Sequence, residues 1–282
     1  FSNTISELIN KGSKFLKNND ISSYLIDAEL ILSKSLDISR EKFLSLDDTK
    51  LEDKIILNFN KLIARRVKKE PIAYIFEKKE FWSLDFIVNK DTLIPRPETE
   101  LLIECLVKYY KNKKIFILDI GTGSGCIILS ILKELKKSKG IGIDVSKKAI
   151  KVASKNAKNL RLQARSKFIK RNLHEFNSYM FDLIVSNPPY ICSHELKNLS
   201  EDIKKYEPRL ALDGGNDGLD VVKKIIYKSK SILKRKGMLA LEIGYGQFKK
   251  VSPILKFNGF KIKFIIKDYH NNIRCILAVL EH

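Results

Sequence analysis

The sequence predicts an α/β protein: a mostly parallel sheet with helices on both faces, finished by an antiparallel C-terminal strand pair and preceded by a small helical bundle. Three observations carry this. Short apolar strands alternate with helical stretches from Ile115 onward, the first of those strands empties into a glycine-rich loop, and no strand pattern interrupts Phe1 to Lys69. Alternation of this kind builds parallel sheets, because each crossover helix has to cover a sheet face.

Residues 1–70 read as a helical domain. Ile21, Leu25, Ala28 and Leu32 fall at helical spacing, as do Leu51, Ile55, Phe59 and Leu62, and such spacing gathers apolar side chains on one helix face. Asp20 is placed to cap the first of these helices. A bundle this small buries little surface, so support from the rest of the chain is expected. Pro71 stops the last helix. Ala73 to Phe76 and Phe81 to Val88 then read as extended runs parted by the charged turn Glu77 to Glu80, a β-hairpin linker within residues 71–94. In Ile94-Pro95-Arg96-Pro97-Glu98-Thr99-Glu100 two prolines keep the backbone extended, and Thr99 or Glu98 opens the next helix.

Residues 95–282 form the larger domain. Its strands are Ile115 to Ile120, Gly140 to Asp144, Lys167 to Ile169, Phe181 to Ser186, Met238 to Ile243, Lys261 to Ile266 and Ile276 to Val279. The last two are joined too briefly for a parallel crossover, so they pair antiparallel.

Composition narrows the function classes. No apolar run approaches the roughly 18 residues of a membrane span, and Phe1 to Asn10 show no secretory pattern. Cys105, Cys126, Cys192 and Cys275 lie far apart, and His174, His194, His270 and His282 lack ligand spacing. No metal site, no disulfide framework and a reducing cytoplasm are therefore expected. The formal charge of +20 suits a surface that meets nucleic acid, but its Lys residues are scattered beside abundant Ile and Asn, as compositional bias would leave them. Charge alone names no partner.

Two loops carry the chemistry. After the first strand comes Asp119-Ile120-Gly121-Thr122-Gly123-Ser124-Gly125, where glycines let the chain turn sharply and let a ligand approach the main chain. The next strand ends in Asp144, 19 positions after Gly125, where a carboxylate can accept both ribose hydroxyls of a nucleoside. That acid serves NAD and S-adenosylmethionine alike, but the glycine spacing is not the one that lays a pyrophosphate on a helix N-terminus. The third strand ends in Lys170-Arg171-Asn172-Leu173, where Asn172 can bond an adenine amino group and Leu173 can cover the ring. The cofactor expected is S-adenosylmethionine, and its candidate binding set here is Asp119, Gly121, Thr122, Gly123, Ser124, Gly125, Asp144, Asn172 and Leu173.

The strand Phe181 to Ser186 runs into Asn187-Pro188-Pro189-Tyr190. The Asn187 side-chain carbonyl and the Pro188 backbone carbonyl are two acceptors for the two hydrogens of a planar NH2 group, and the prolines hold them convergent. With both hydrogens held, the nitrogen lone pair is biased out of plane toward a sulfonium methyl, while Tyr190 offers a flat face for stacking. Asn187, Pro188 and Tyr190 are thus the catalytic candidates, and Asn187, Pro188, Pro189 and Tyr190 the substrate-binding ones. Sulfonium-to-nitrogen transfer disperses charge, so an apolar pocket suffices and no strong base is required. Glu98 and Glu100 can shape the pocket, but capping the following helix is the role read first for these carboxylates.

This tetrapeptide occurs in adenine-N6 methyltransferases and in glutamine-N5 methyltransferases. Glu70-Pro71-Ile72-Ala73-Tyr74-Ile75, Glu80-Phe81-Trp82, Leu93 to Glu100, Tyr206-Glu207-Pro208-Arg209-Leu210-Ala211-Leu212 and Asp268-Tyr269-His270-Asn271-Asn272-Ile273-Arg274 separate the two. Together they resemble the bacterial peptide chain release factor glutamine methyltransferases, over nearly the whole chain. The resemblance implies a Rossmann-like S-adenosylmethionine methyltransferase domain behind a helical recognition domain, in which Asn187 contacts the cofactor as well as the glutamine. It implies methylation at N5 of the glutamine in the Gly-Gly-Gln motif of class 1 release factors, with ribosome proximity, no membrane and no stable nucleic-acid partner. Two positions depart from the pattern: Asn172 stands where the family commonly has Asp, and Glu77 where it has Gly. The alternatives are a ribosomal-protein glutamine-N5 methyltransferase and an adenine-N6 nucleic-acid methyltransferase. Against the latter, only about 90 residues follow the reacting loop, and the sheet uses most of them. An intact reacting loop beside an intact cofactor loop argues against a non-catalytic RNA-binding scaffold.

Overall fold

The computed structural model describes residues 3–176 and 180–281, and the chain packs as two units, Phe1–Glu77 with Glu201–Tyr206, and Lys78–Ser200 with Glu207–His282. The first unit contains α1 (Ile5–Lys17), α2 (Tyr24–Ser35), α3 (Arg40–Phe43), α4 (Asp53–Val67) and α5 (Ile72–Ile75). Thr4 opens α1 with a capping box in which its hydroxyl accepts from Glu7 N–H and the Glu7 carboxylate accepts from Thr4 N–H. Leu8, Leu16, Ile31, Leu32, Phe59, Leu62 and Ile63 form the core between these helices. Arg66 reaches from α4 to Asp27 of α2 at 2.6 Å, and Ser23 Oγ donates to the same carboxylate at 2.7 Å, so a poorly exposed charge is both paired and hydrogen-bonded.

Two expectations are corrected in this unit. Asp20 does not cap a following helix: at φ 57 its N–H donates to Lys17 O, so it closes α1 in the left-handed conformation that Asp tolerates. The next helix starts at Tyr24 and buries Ala28, Ile31 and Leu32, leaving Leu25 of the expected stripe 47% exposed. Residues 73–76 are not extended. Pro71, at φ −59, leads into the single turn α5, where Ile75 N–H donates to Pro71 O and Phe76 N–H to Ile72 O. Ile72, Ile75 and Phe76 join the helical core, and this burial outweighs the short run's β pattern. Glu77, where the family has glycine, ends the turn at φ 54, a region that suits glycine.

The second unit opens with the hairpin β1 (Lys78–Phe81) and β2 (Leu84–Ile87), with Phe81 paired to Leu84. The turn is therefore Trp82-Ser83 rather than Glu77 to Glu80. Both turn residues sit at φ 53, the left-handed pair that matches strand twist in two-residue hairpins, and the usual Asn-Gly or Asp-Gly signal is missing from the sequence.

Then follow α6 (Glu98–Tyr110), β3 (Phe116–Ile120), α7 (Cys126–Glu134), β4 (Lys139–Asp144), α8 (Lys147–Asn159), β5 (Ser166–Lys170) and β6 (Phe181–Ser186). The remaining elements are α9 (Glu201–Tyr206, the helix placed with the first unit), α10 (Asp220–Ile232), β7 (Leu233–Glu242), α11 (Phe248–Phe257), β8 (Phe260–Lys267) and β9 (Ile273–Leu280). Among the described residues the strands β3 to β9 form one seven-stranded sheet in the order β5-β4-β3-β6-β7-β9-β8. The β5 to β7 portion is parallel, and β9 pairs antiparallel with both β7 and β8. One apolar layer packs Leu102, Ile103 and Leu106 of α6 and Ile128 and Leu132 of α7 on one face. The other face is covered by Val222, Ile225 and Ile226 of α10 with Val251 and Leu255 of α11.

Candidate active site

Chain direction across the sheet reverses at β3: from it the strands step outward to β4 and β5, and the chain then returns to lay β6 and β7 on its other side. The two connections diverge there and leave a crevice at the carboxyl ends of β3 and β6, the usual ligand position in open α/β sheets. Both motif loops start at this edge, Gly121 after β3 and Asn187 after β6.

The glycine loop is held from behind. Gly121 N–H and Thr122 N–H both donate to Ile143 O, at 2.9 and 3.0 Å. Gly125 turns the chain into α7 at φ +80, and a β-carbon there would meet Leu129, Ala153 and Phe168 within 3.4 Å, so only glycine fits. A β-carbon on Gly121 would meet nothing within 4 Å; that side of the loop is open. Asp144 stands at the end of β4, with Oδ2 accepting from Gly123 N–H at 3.0 Å and Oδ1 from Ser146 N–H at 2.9 Å. Burial pushes its pKa up against these bonds. Asp119 lies buried beneath the loop, where Oδ2 accepts from Thr122 Oγ1 at 2.7 Å while Oδ1 has no hydrogen-bond partner among the described residues. Burial raises this carboxyl to about 7. An orphaned buried acceptor under an open glycine cradle fits a cationic, hydrogen-donating ligand group.

Asn156 of α8 clamps the loop. Its amide accepts from Ile87 N–H at 2.7 Å and donates to Ile87 O and to Ser124 O, at 3.0 and 2.9 Å. The residue is fully buried, so Asn156→Ala should strand three polar groups and lower unfolding stability by about 2–4 kcal/mol. Urea unfolding followed by circular dichroism checks this; a midpoint unchanged at constant slope would show that the clamp is dispensable.

The second loop is rigid for reasons beyond its prolines. Ser186 Oγ donates to Ile120 O at 2.7 Å and ties the end of β6 to that of β3. Pro188 is buried. Gln247 Nε2 donates to Tyr190 O at 3.0 Å and to Gly218 O at 3.2 Å, while a β-carbon on Gly214 would come within 2.8 Å of Pro189 O. Burial, with the Glu242 charge second, pushes the Tyr190 phenol up to about 12. Tyr190 therefore stays neutral and offers a face and a hydroxyl, not a base.

Asn187 is partly buried. Its Nδ2 donates to Thr99 Oγ1 at 3.4 Å, and Thr99 Oγ1 donates to Glu242 Oε2 at 2.6 Å. Glu242, at the end of β7, is raised to about 7 by burial, opposed by its bond to Thr99, by the charge of Arg274 and by the Asn187 amide. Thr99 and Glu242 lie outside both motif loops, and the signal for Glu242 in the sequence is an acid ending an apolar strand. Glu207 is a further buried acid, accepting from Arg96 at 2.6 Å and from Ile94 N–H, and so fixes the proline segment before α6. Glu98 and Glu100 lie in the first turn of α6, but no side chain caps that helix, and Glu100 instead accepts from Trp82 N–H at 2.7 Å; the capping expectation is corrected because the hairpin competes for the carboxylate. Asn172 is exposed at the end of β5, and Leu173 packs against the sheet. Among the described residues no group of three His, Cys, Asp or Glu could hold a metal ion, and no helix is long and apolar enough to cross a membrane.

Comparison with known proteins gives the class and then the family. Residues 97–257 match the Methyltransferase small domain family and residues 7–76 the PrmC N-terminal domain. A methyltransferase from Pyrococcus furiosus, 18% identical, superposes with a TM-score of 0.52 over 78% of this chain and 98% of its own, a likeness of fold. The protein is a methyltransferase. The release factor glutamine methyltransferase of Fusobacterium nucleatum is 40% identical over 96% of this chain and 78% of its own. That of Clostridium acetobutylicum is 39% identical over 98% of both chains. The chain belongs to the release factor glutamine methyltransferase family, as its motifs indicated.

Proposed function

We propose that this glutamine methyltransferase transfers the methyl group of S-adenosylmethionine to N5 of the glutamine in the Gly-Gly-Gln motif of class 1 release factors. The observation that carries the reading is the pair of acceptors at the end of β6: Asn187, whose NH2 is engaged on the far side by Thr99, and Pro188, buried and rigid. An amide NH2 has two donors in one plane, and two convergent acceptors match it. Bound S-adenosylmethionine supplies an electrophilic methyl group. The protein's part is to hold both amide hydrogens, keep water out and stack Tyr190 against the amide plane. Gly121 to Gly125 would admit the methionine portion, with the unpaired Asp119 Oδ1 receptive to its ammonium group. Asp144 would accept from the ribose, and Asn172 and Leu173 would border the adenine. Tyr190 is neutral and does not act as a base at the loop, consistent with transfer to an uncharged nitrogen.

The helical domain of residues 1–70 is read as the release-factor recognition element, on its match to the PrmC N-terminal domain, with residues 71–94 as linker and 95–282 as catalytic domain. A loop-borne glutamine offers few contacts, so a second binding surface raises affinity by making the first contact intramolecular. The deciding assay offers labelled S-adenosylmethionine to release factor, ribosomes and DNA in parallel. Label should enter release factor, map to the Gly-Gly-Gln glutamine and vanish when that glutamine is replaced by alanine. Equal labelling of ribosomal protein or DNA would overturn the assignment.

A further inference from the structure

Every side-chain amide has two orientations that differ only in exchanging an acceptor for a pair of donors. The reading of Asn187 as a substrate acceptor works in one of them alone: Oδ1 has to face the glutamine amide and Nδ2 has to face inward. In the other, an NH2 would confront an NH2. We propose that Thr99 and Glu242 act as positioning residues that set this polarity, by presenting the inner side of Asn187 with acceptors only.

The geometry is a directed chain. Thr99 Oγ1 has one hydrogen, and it is committed to Glu242 Oε2 at 2.6 Å; both groups are buried, at 2% and 3% exposure, so water does not offer an alternative. What remains on Oγ1 is lone pairs, and Asn187 Nδ2 lies 3.4 Å away. The Asn187 amide also favours the ionised form of Glu242. Reversing the amide would place Oδ1 against a hydroxyl oxygen and a carboxylate with no hydrogen between them. Three elements brought together by the sheet, α6, β6 and β7, thus define one orientation. The inference rests on the proposed role of Asn187 and adds the residues that enforce it.

The chain has a direction only while Glu242 is a carboxylate. Once protonated, Glu242 can donate to Thr99 Oγ1, the Thr99 hydrogen is freed to point at Asn187, and the reversed amide becomes satisfied. Burial lifts this carboxyl to about 7. The groups facing it are Glu98 from α6, which favours protonation, Arg274 from β9, which opposes it, and the thiols of Cys126 and Cys275 with the Tyr190 phenol, whose ionisation its charge disfavours. The glutamine amide does not titrate in this range, and because Asp119 is also raised to about 7, it is an acidic limb removed by Glu242→Gln that reports the chain.

The test is single-turnover methylation of release factor at saturating S-adenosylmethionine, from pH of about 5 to 9, for wild type, Thr99→Val, Thr99→Ser, Glu242→Gln and Asn187→Ala, with melting temperatures and cofactor Kd measured alongside. Wild-type rate should climb with pH and level off above about 7. Thr99→Val should lose about ten- to a hundredfold in rate, chiefly in kcat, and Thr99→Ser should recover most of it. Glu242→Gln, isosteric but able to donate, should be slow and lack the acidic limb. An acidic limb that persists in Glu242→Gln overturns the proposal. If Asn187→Ala is inactive while Thr99→Val and Glu242→Gln work at wild-type rates, the polarity chain is wrong and the role of Asn187 stands. If Asn187→Ala itself is near normal, that role falls and the chain with it.

Discussion

Asn187→Ala is expected to slow methyl transfer by about a hundredfold or more, the usual cost of deleting an oriented polar contact that is strongest at the reacting centre. The loss should lie mainly in kcat, because the alanine still leaves Pro188 O and the Tyr190 face to bind the glutamine, while the nitrogen is no longer held with its lone pair out of plane. Ser186 and Gln247 tether the ends of the loop from outside it, so the variant should keep the loop's shape. Pro188→Ala should do less, since its acceptor belongs to the backbone and survives the substitution. Single-turnover rates at saturating cofactor separate these cases, and a near-normal Asn187→Ala enzyme would remove the two-acceptor mechanism.

Asp144→Ala is expected to weaken S-adenosylmethionine binding by about 1–3 kcal/mol, or roughly five- to a hundred-and-fiftyfold in Kd, through loss of a charge-assisted hydrogen bond to the ribose. A second contribution comes from the protein itself. The carboxylate accepts from Gly123 N–H and Ser146 N–H, so without it the glycine loop loses the bond that shapes its centre and Ser146 loses a partner at the start of α8. Asp144→Asn keeps an acceptor for one of those bonds and should fall between alanine and wild type. Calorimetric titration measures the difference, and an unchanged Kd in Asp144→Ala would take the residue out of the cofactor site.

Much of the site was legible because its two loops are contiguous in the chain. Asp119 to Gly125 and Asn187 to Tyr190 are each a strand end followed by a turn, and local backbone chemistry carries the roles proposed for them. The alternation of strands and helices likewise foretold the parallel sheet and the antiparallel end. Where the reading went astray, the competing influence was tertiary or conformational: Ile72 to Phe76 coil because a helical core takes them in, and the hairpin turns at Trp82-Ser83 without the glycine that normally announces such a turn.

The sequence by itself determined the fold class and the family and offered the glycine loop and the two acceptors as the candidate site, since each is written in residues adjacent along the chain or spaced by a helix or strand period. Only the tertiary structure decided how those loops are held. Thr99 and Glu242 are 143 residues apart, Asn187 and Thr99 are 88 apart, and Asn156 and Ile87 are 69 apart. No local pattern links such pairs, because a buried hydrogen bond depends on which strands the sheet sets side by side. Burial then does what sequence cannot disclose: it withdraws water from Glu242 and Asp119 and, in part, from Tyr190, and raises all three pKa values.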